Sequence, residues 1–281
     1  MRLTVIVRSW ILPTLISVVA FGAVEEFNDG PKKQETPAEK YQSLLKEYQA
    51  ADEEFEKAGE AAKTDEDVAK LRQMQEKLRQ FPTRFLDLAQ NNSADPVAID
   101  ALAWIIFNNS PRFPVVNDAV ELLIRDHIAS EKFGVLLPTM WGMSGPPIEK
   151  LFRAALEQSP KRDVKGLACF SLAKYCKINS ERGQLTASLQ KSPSGLSFPL
   201  DFQKLGKESA SLFERVIEEF GDVKYYSTTL ADVAEAELFQ LANLAIGNVA
   251  QEIEGEDIEG LPFKLSDYRG KVAVLDFWGS T

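Results

Sequence analysis

An acidic residue inside an apolar run is the feature of this sequence that most suggests chemistry. Residues Lys271 to Trp278 are mainly β-branched and aromatic, and the turn formers Tyr268 to Gly270 precede them. This pattern predicts a buried strand rather than a helix. Asp276 lies within the run, and a carboxylate buried there must find a hydrogen-bond or charge partner or take up a proton. Asp276 is therefore a candidate functional residue, and a plain core residue is the alternative.

The chain has two cysteines, whose chemistry would be disulfide formation or nucleophilic attack. Cys169 and Cys176 lie seven residues apart on a predicted helix, which separates their α-carbons by about 10 Å. A disulfide requires α-carbons within about 7 Å of each other. Both cysteines share a predicted helix face with Leu172 and Ala173. We therefore expect two buried, inert thiols.

No other residues form a recognisable catalytic or metal site. His127 is the single histidine, and because a lone histidine cannot supply the ligands of a metal centre, a core or edge position on its helix is expected. The acidic residues from Asp52 to Glu56 are expected to form a solvated helix face. Trp141, in the loop that ends at Pro147, could contact a partner, although packing under the loop is the simpler expectation. With no glycine-rich phosphate loop either, we expect no cofactor and no metal.

A longer motif runs through residues 246–281, about an eighth of the chain. It resembles the opening segment of membrane-linked or exported thiol-disulfide oxidoreductases of the thioredoxin-like redoxin family. The resemblance implies a two-stranded hairpin followed by a strand of a thioredoxin-like α/β fold, with a glycine at the hairpin turn. The matching residues are Gly247, Ala250, Gly260 at the turn, Leu265-Ser266-Asp267-Tyr268-Arg269-Gly270-Lys271, and Phe277-Trp278.

The resemblance assigns roles to two residues and identifies what is missing. The family carries a Cys-x-x-Cys pair, in which a thiolate at a helix N-terminus attacks and the second cysteine resolves the mixed disulfide. By resemblance, Asp276 would accept the proton of the resolving cysteine and Trp278 would shield the thiol. The first cysteine would stand six residues after Asp276, one position past Thr281. No catalytic residue is therefore present, and we expect this chain to be inactive.

We expect the gene to continue beyond Thr281. A lone apolar strand with unpaired edges invites aggregation, and the elements that complete a thioredoxin-like sheet follow the redox motif. A sequencing error, a frameshift, or a UGA codon read as a stop would each explain why the sequence ends at Thr281. The expected continuation is Cys-x-x-Cys or Sec-x-x-Cys.

The N-terminal residues have the pattern of a secretory signal. Arg2 and Arg8 are positively charged, Trp10 to Ala20 are apolar, and Ala20-Phe21-Gly22 is a small-x-small cleavage pattern. The apolar run is shorter than the about 20 residues of a membrane-spanning helix, and an uncleaved membrane anchor is the alternative. We predict a signal peptide over residues 1–23, a polar linker over 24–37, and export to the periplasm or cell envelope.

Residues 38–245 are predicted to form a helical domain. Apolar residues recur at helical spacing in Ala98 to Ile106 and in Ile148 to Leu156. Asp95-Pro96 and Thr64 to Asp67 have the composition of helix N-caps, whereas Ser180 to Gln203 reads as a loop or insertion.

Four similar segments recur within this domain. They start at Phe85, Ala119, Leu151 and Leu212, with successive starts 34, 32 and 61 residues apart. A period near 34 is typical of tetratricopeptide-like helix pairs. The signature residues of that repeat are not evident, and generic helical packing is the alternative.

The predicted fold is therefore mainly α: a helical domain with TPR-like repeats or general helical packing, then the N-terminal fragment of an α/β thioredoxin-like fold over residues 246–281. A net charge of -10 argues against nucleic-acid binding. One predicted function is an exported thiol-disulfide oxidoreductase or peroxide reductase with thiol or disulfide protein partners. The alternative is a secreted, non-catalytic helical-repeat interaction protein. Membrane contact is expected only through an uncleaved N-terminal segment, and the oligomeric state is left open.

Overall fold

A computed structural model describes residues 35–189, 202–244, 249–257 and 259–276. The predicted signal peptide, residues 24–34 of the predicted linker, and Trp278 lie outside the described residues. Within the described ranges, no helix has both the length and the apolar character needed to cross a membrane.

The described residues are mainly helical, as predicted. Two short antiparallel hairpins accompany the helices. β1 (Lys224–Tyr225) pairs with β2 (Thr228–Thr229) between the last two α-helices, and β3 (Glu254–Glu256) pairs with β4 (Pro262–Lys264) after the last one. Short 3-10 helices span Leu137–Thr139 and Leu265–Tyr268. The α-helices are α1 (Pro37–Ala61), α2 (Asp65–Leu78), α3 (Phe81–Asn91), α4 (Val97–Asn108), α5 (Pro114–His127), α6 (Glu131–Leu136), α7 (Pro146–Gln158), α8 (Arg162–Leu189), α9 (Phe202–Phe220) and α10 (Leu230–Asn243).

Threonine capping boxes start three of these helices. Thr36, Thr64 and Thr229 each accept a hydrogen bond from the backbone N–H three residues later, and the acid at that position accepts one in return. Such boxes pair N–H groups that the first helical turn leaves without a partner. The predicted cap at Thr64 is therefore confirmed. At Asp95-Pro96 the N-cap residue of α4 is Pro96, which has no side-chain cap, although the Asp95 carboxylate accepts from the Val97 backbone N–H at 2.9 Å.

Each helix packs mainly against helices close to it in sequence. From α3 to α10, successive helices contact one another, except that α5 packs directly on α7 and α6 packs on α8. Helices also contact the next-but-one helix, as in α3 with α5, α4 with α6, and α8 with α10. The result is a layered array in which burial is assembled from neighbour to neighbour.

The core contains the apolar stripes that the sequence predicts. Ala98 to Ile106 on α4 and Ile148 to Leu156 on α7 contribute their predicted core positions, and the Phe85 ring stacks on Trp104 with centroids 3.9 Å apart. The four similar segments lie on α3, α5, α7 and α9. The first and fifth residue of each segment is buried: Phe85, Ala89, Ala119, Leu123, Leu151, Ala155, Leu212 and Val216.

The predicted loop over Ser180 to Gln203 is wrong at both ends. α8 continues to Leu189 and α9 begins at Phe202. The reason is a close contact between the two helices: a Cβ added at Gly183 would lie 2.0 Å from a ring carbon of Phe202. Because α8 supplies a surface for α9 along this stretch, residues with weak helix propensity remain helical.

The predicted buried strand is also wrong over Lys271 to Asp276, the part that the structure describes. These residues pair with no strand, and Val272 and Val274 are 97% and 88% exposed. A strand is buried only when a sheet pairs its edges and another layer covers its faces. No described element does either for this run.

Candidate functional site

The C-terminal segment, residues 249–276, folds locally into the hairpin that the resemblance implies. β3 and β4 pair with Gly255 opposite Phe263. Gly260 lies in the turn with φ of 79°, a left-handed conformation that glycine adopts without steric cost. The Asp257 carboxylate closes the turn by accepting from the backbone N–H groups of Glu259 and Leu261, each at 2.9 Å.

A small open groove of about 200 Å³ lies beside this hairpin. On its wall the Glu252 carboxylate accepts from the Ser266 backbone N–H at 3.0 Å. The hydrogen bonds from Ser266 hold the pKa of Glu252 below its usual value. The other lining residues are Val249, Ala250, Leu265 and Arg269. No lining residue is buried, so the groove itself offers no enclosed reaction site.

Asp276 is not in the environment that the sequence predicts. It is exposed at the end of the unpaired run, where water solvates its carboxylate. The structure therefore does not bring Asp276 to a buried position, and the position of Trp278 is not described.

The two cysteines are buried and unpaired, as expected. Cys169 and Cys176 both lie on α8 with no exposed surface. The Cys169 thiol donates to the Leu212 carbonyl, with sulfur and oxygen 3.6 Å apart. Burial raises the pKa of each thiol to about 12, so that neither is a thiolate nucleophile at neutral pH.

No protein-family model, curated protein or solved structure matches this chain. The chemistry of the chain must therefore be judged from its own residues.

The remaining residues that the sequence singled out, His127, the acidic residues after Asp52, and Trp141, lie at core, surface and half-buried positions respectively. His127 is 8% exposed at the end of α5, and burial lowers its pKa from 6.5. The acidic residues after Asp52 face solvent, while half-buried Asp52 has a raised pKa through desolvation and the nearby Glu56. Trp141 is half-buried beneath the Lys174 ammonium, which lies 4.8 Å from the ring centroid. In the described ranges, no group of His, Cys, Asp or Glu residues could hold a metal ion.

One charged cluster was not anticipated from the sequence. Lys174 and Lys177 on α8 both donate to the Glu237 carboxylate on α10, and the Lys177 ammonium lies 2.7 Å from Glu237 Oε2. Lys177 also donates to Gln240 Oε1 at 2.9 Å. The side chains of Lys174, Lys177 and Glu237 are only 17%, 9% and 13% exposed. The available signal was a pair of lysines three residues apart, Lys174 within the apolar stretch Leu172 to Cys176 and Lys177 directly after it.

Proposed function

We propose that the chain combines a helical platform with the opening segment of a thioredoxin-like thiol-disulfide oxidoreductase. The observation that carries this proposal is the local conformation of the C-terminal motif. Two glycines that match the motif, Gly260 and Gly270, have positive φ, of 79° and 82°. A 3-10 helix over Leu265–Tyr268 joins the hairpin to the following run. The hairpin and its turn support the proposal, whereas Lys271 to Asp276 do not form the strand that the resemblance implies.

The chemistry of such a domain requires a cysteine pair that these 281 residues do not contain. Cys169 and Cys176 cannot substitute for it, because both are buried and their pKa is raised to about 12. The proposal therefore assigns no catalytic residue. Asp276 and Trp278 remain the residues that would support the thiol pair, and thiol or disulfide proteins would be the partners.

The proposal includes export to the periplasm or cell envelope. Its basis is the charged, then apolar, then small-residue pattern at the N-terminus. N-terminal sequencing of the mature protein from the cell envelope should find cleavage near Gly22. An intact Met1 in a cytoplasmic fraction would contradict this part.

A chimera tests the proposed identity of the C-terminal segment. Residues 246–281 would replace the corresponding opening segment of an active thioredoxin-like oxidoreductase, directly before its Cys-x-x-Cys, so that Asp276 stands six residues before the first cysteine. We expect the chimera to fold and reduce insulin disulfides at a rate within about tenfold of its parent, since the segment supplies the hairpin and the strand. The control carries the same residues with 261–270 in scrambled order and should be inactive. An unfolded or inactive chimera would contradict the proposal.

The 281-residue chain should not reduce insulin disulfides. Insulin reduction by the purified 281-residue chain should equal the rate without protein, and a thiol reagent at pH 8 should modify its cysteines only after denaturant is added. Rapid modification of Cys169 or Cys176 in the native chain would show that burial does not protect them. Turnover of insulin would refute the claim that the chain lacks a catalytic thiol.

The second candidate function, a non-catalytic interaction protein, has its own support. The same two positions are buried in the similar segments of α3, α5, α7 and α9, as expected for stacked helix pairs. Such arrays commonly bind partners along an extended face. A chain extended by the codons that follow Thr281 distinguishes the two candidates. Under the first it gains insulin-reducing activity, and under the second it does not.

A further inference from the structure

The last helix of the array, α10, makes different kinds of contact with the other helices in its first and second halves. In the first turns of α10, Leu230 and Ala234 are buried against the core. From Glu237 onward α10 has no fully buried residue, and its apolar packing against the core comes from the partly buried Leu238 and Leu241. The C-terminal half therefore has less apolar burial than the first turns, and other contacts also hold it on α8.

Those contacts are charged. Glu237 is the acid between Lys174 and Lys177, and Gln240 accepts a further hydrogen bond from Lys177 one turn later. The Lys174 ammonium also lies over Trp141 of the loop before α7. Glu181, which is largely exposed, lies 3.9 Å from Lys177. Among the described residues, Glu237 is thus the one acid that contacts both lysines, and its side chain is 13% exposed.

Removing one charge from a largely buried ion cluster lowers the stability of a protein by more than the intact cluster raises it. If Glu237 is neutral, the two largely buried ammonium groups keep only Trp141, Gln240 and the exposed Glu181 as partners, and each must be rehydrated or move apart. Little apolar burial in the second half of α10 opposes that movement. The first half is held independently by Leu230 and Ala234.

We propose that Glu237, with Lys174 and Lys177, is an ionic latch that holds the C-terminal half of α10 on α8 as a separately releasable element. Opening the latch frees Asn243 at the end of α10, whose side-chain oxygen accepts from the Gln251 side chain at 3.0 Å. In the described residues this is the hydrogen bond that joins the C-terminal segment to the helices. The inference concerns the helices alone and stands apart from the thiol-disulfide proposal.

Amide hydrogen exchange on the 281-residue chain tests the latch. Glu237→Gln should raise the exchange rates of residues 238–244 by about tenfold or more. The rates in residues 230–234 and in α8 should stay close to those of the unchanged chain. Glu235→Gln is the matched control, because Glu235 is exposed on the same helix, and it should change nothing.

A second variant keeps the test decisive if Glu237→Gln fails to fold. Lys174→Met leaves Glu237 bonded to Lys177, which still donates to Gln240, so the same residues should exchange faster but by a smaller factor. An unchanged rate in residues 238–244 would overturn the proposal. So would a rise spread evenly over α8, α9 and α10, since it would make the cluster a part of one cooperative core.

Discussion

The helical region and the C-terminal segment differ in how far their side chains are buried and in how their backbone groups find hydrogen-bond partners. Within residues 36–244, large side chains such as Phe85, Phe152 and Phe213 have no exposed surface. In the described residues from 249 to 276, no side chain is buried. A helix pairs its backbone groups internally and needs only one apolar neighbour, whereas a strand needs partners at its edges and cover on its faces. The helical region is therefore self-sufficient, and the C-terminal segment is not.

The hairpin illustrates this dependence. Its strands, Glu254–Glu256 and Pro262–Lys264, have three residues each, and an isolated two-stranded hairpin is marginally stable in water at best. The turn is well formed by Gly260 and Asp257. Local geometry is therefore specified by the segment, while its stability must come from contacts with something else.

Paired phenylalanine truncations should give the largest contrast between the regions. Phe152→Ala on α7 removes a fully buried ring and should lower the free energy of unfolding by about 3–5 kcal/mol. Phe263→Ala on β4 removes a half-buried ring and should leave the unfolding of the helices unchanged. Urea denaturation followed by circular dichroism measures both. Equal losses would show that the two regions unfold together.

A pair of glycine substitutions tests the contact that extends α8. Gly183→Ala forces a Cβ against the Phe202 ring and should destabilise the chain by about 1–3 kcal/mol. Gly59→Ala on α1 meets no atom within 4 Å and should stabilise it by about 0.5–1 kcal/mol. The thermal midpoints should move in opposite directions. A neutral Gly183→Ala would mean that the helices do not approach closely there.

The sequence predicts features that depend on nearby residues. Helical periodicity identified the buried stripe from Ala98 to Ile106, and the Thr64 cap followed from three adjacent acids. The local sequence did not predict the length of α8, because the Phe202 ring that packs on Gly183 belongs to another helix. Nor did it pair Lys177 with Glu237, since nothing local joins residues 60 positions apart.

The prediction of a buried strand over Lys271 to Asp276 was wrong for a related reason. Its β-branched residues indicate strand propensity, and propensity expresses how well residues fit a pleated, half-buried surface. Such a surface exists only when other strands supply it, which the pattern of the run itself cannot specify. The cysteines were easier to interpret, because helical spacing alone determines whether Cys169 and Cys176 can be bridged.

A pH titration sharpens the comparison at the start of α10. Hydrogen bonds from Thr228 and Thr229 lower the pKa of Asp232 from 3.8 to about 2. Because the folded-state pKa is depressed, the stabilisation is present above pH 3.8 and is lost as the pH falls through about 2. Asp232→Asn should reduce stability at neutral pH and remove this part of the acid dependence. Glu235→Gln should preserve it, and an unchanged acid profile in Asp232→Asn would contradict the capping role.

The smallest effect is expected in the unpaired run. Val274 is 88% exposed, so Val274→Lys should change the unfolding free energy of the chain by less than about 0.5 kcal/mol. The same substitution should reduce aggregation, because it places a charge in an exposed apolar run. Denaturation and light scattering measure the two effects. A loss of stability would show that the run is buried in solution.

Native-state amide hydrogen exchange over the whole 281-residue chain compares the two regions most directly. We expect the slowest exchange in α4, α7 and α8, at rates set by global unfolding. Residues 249–276 should exchange at close to unprotected rates, with slight protection in β3 and β4. Slow exchange of residues 249–276 together with the helices would contradict the distinction between a self-sufficient helical array and a dependent C-terminal segment.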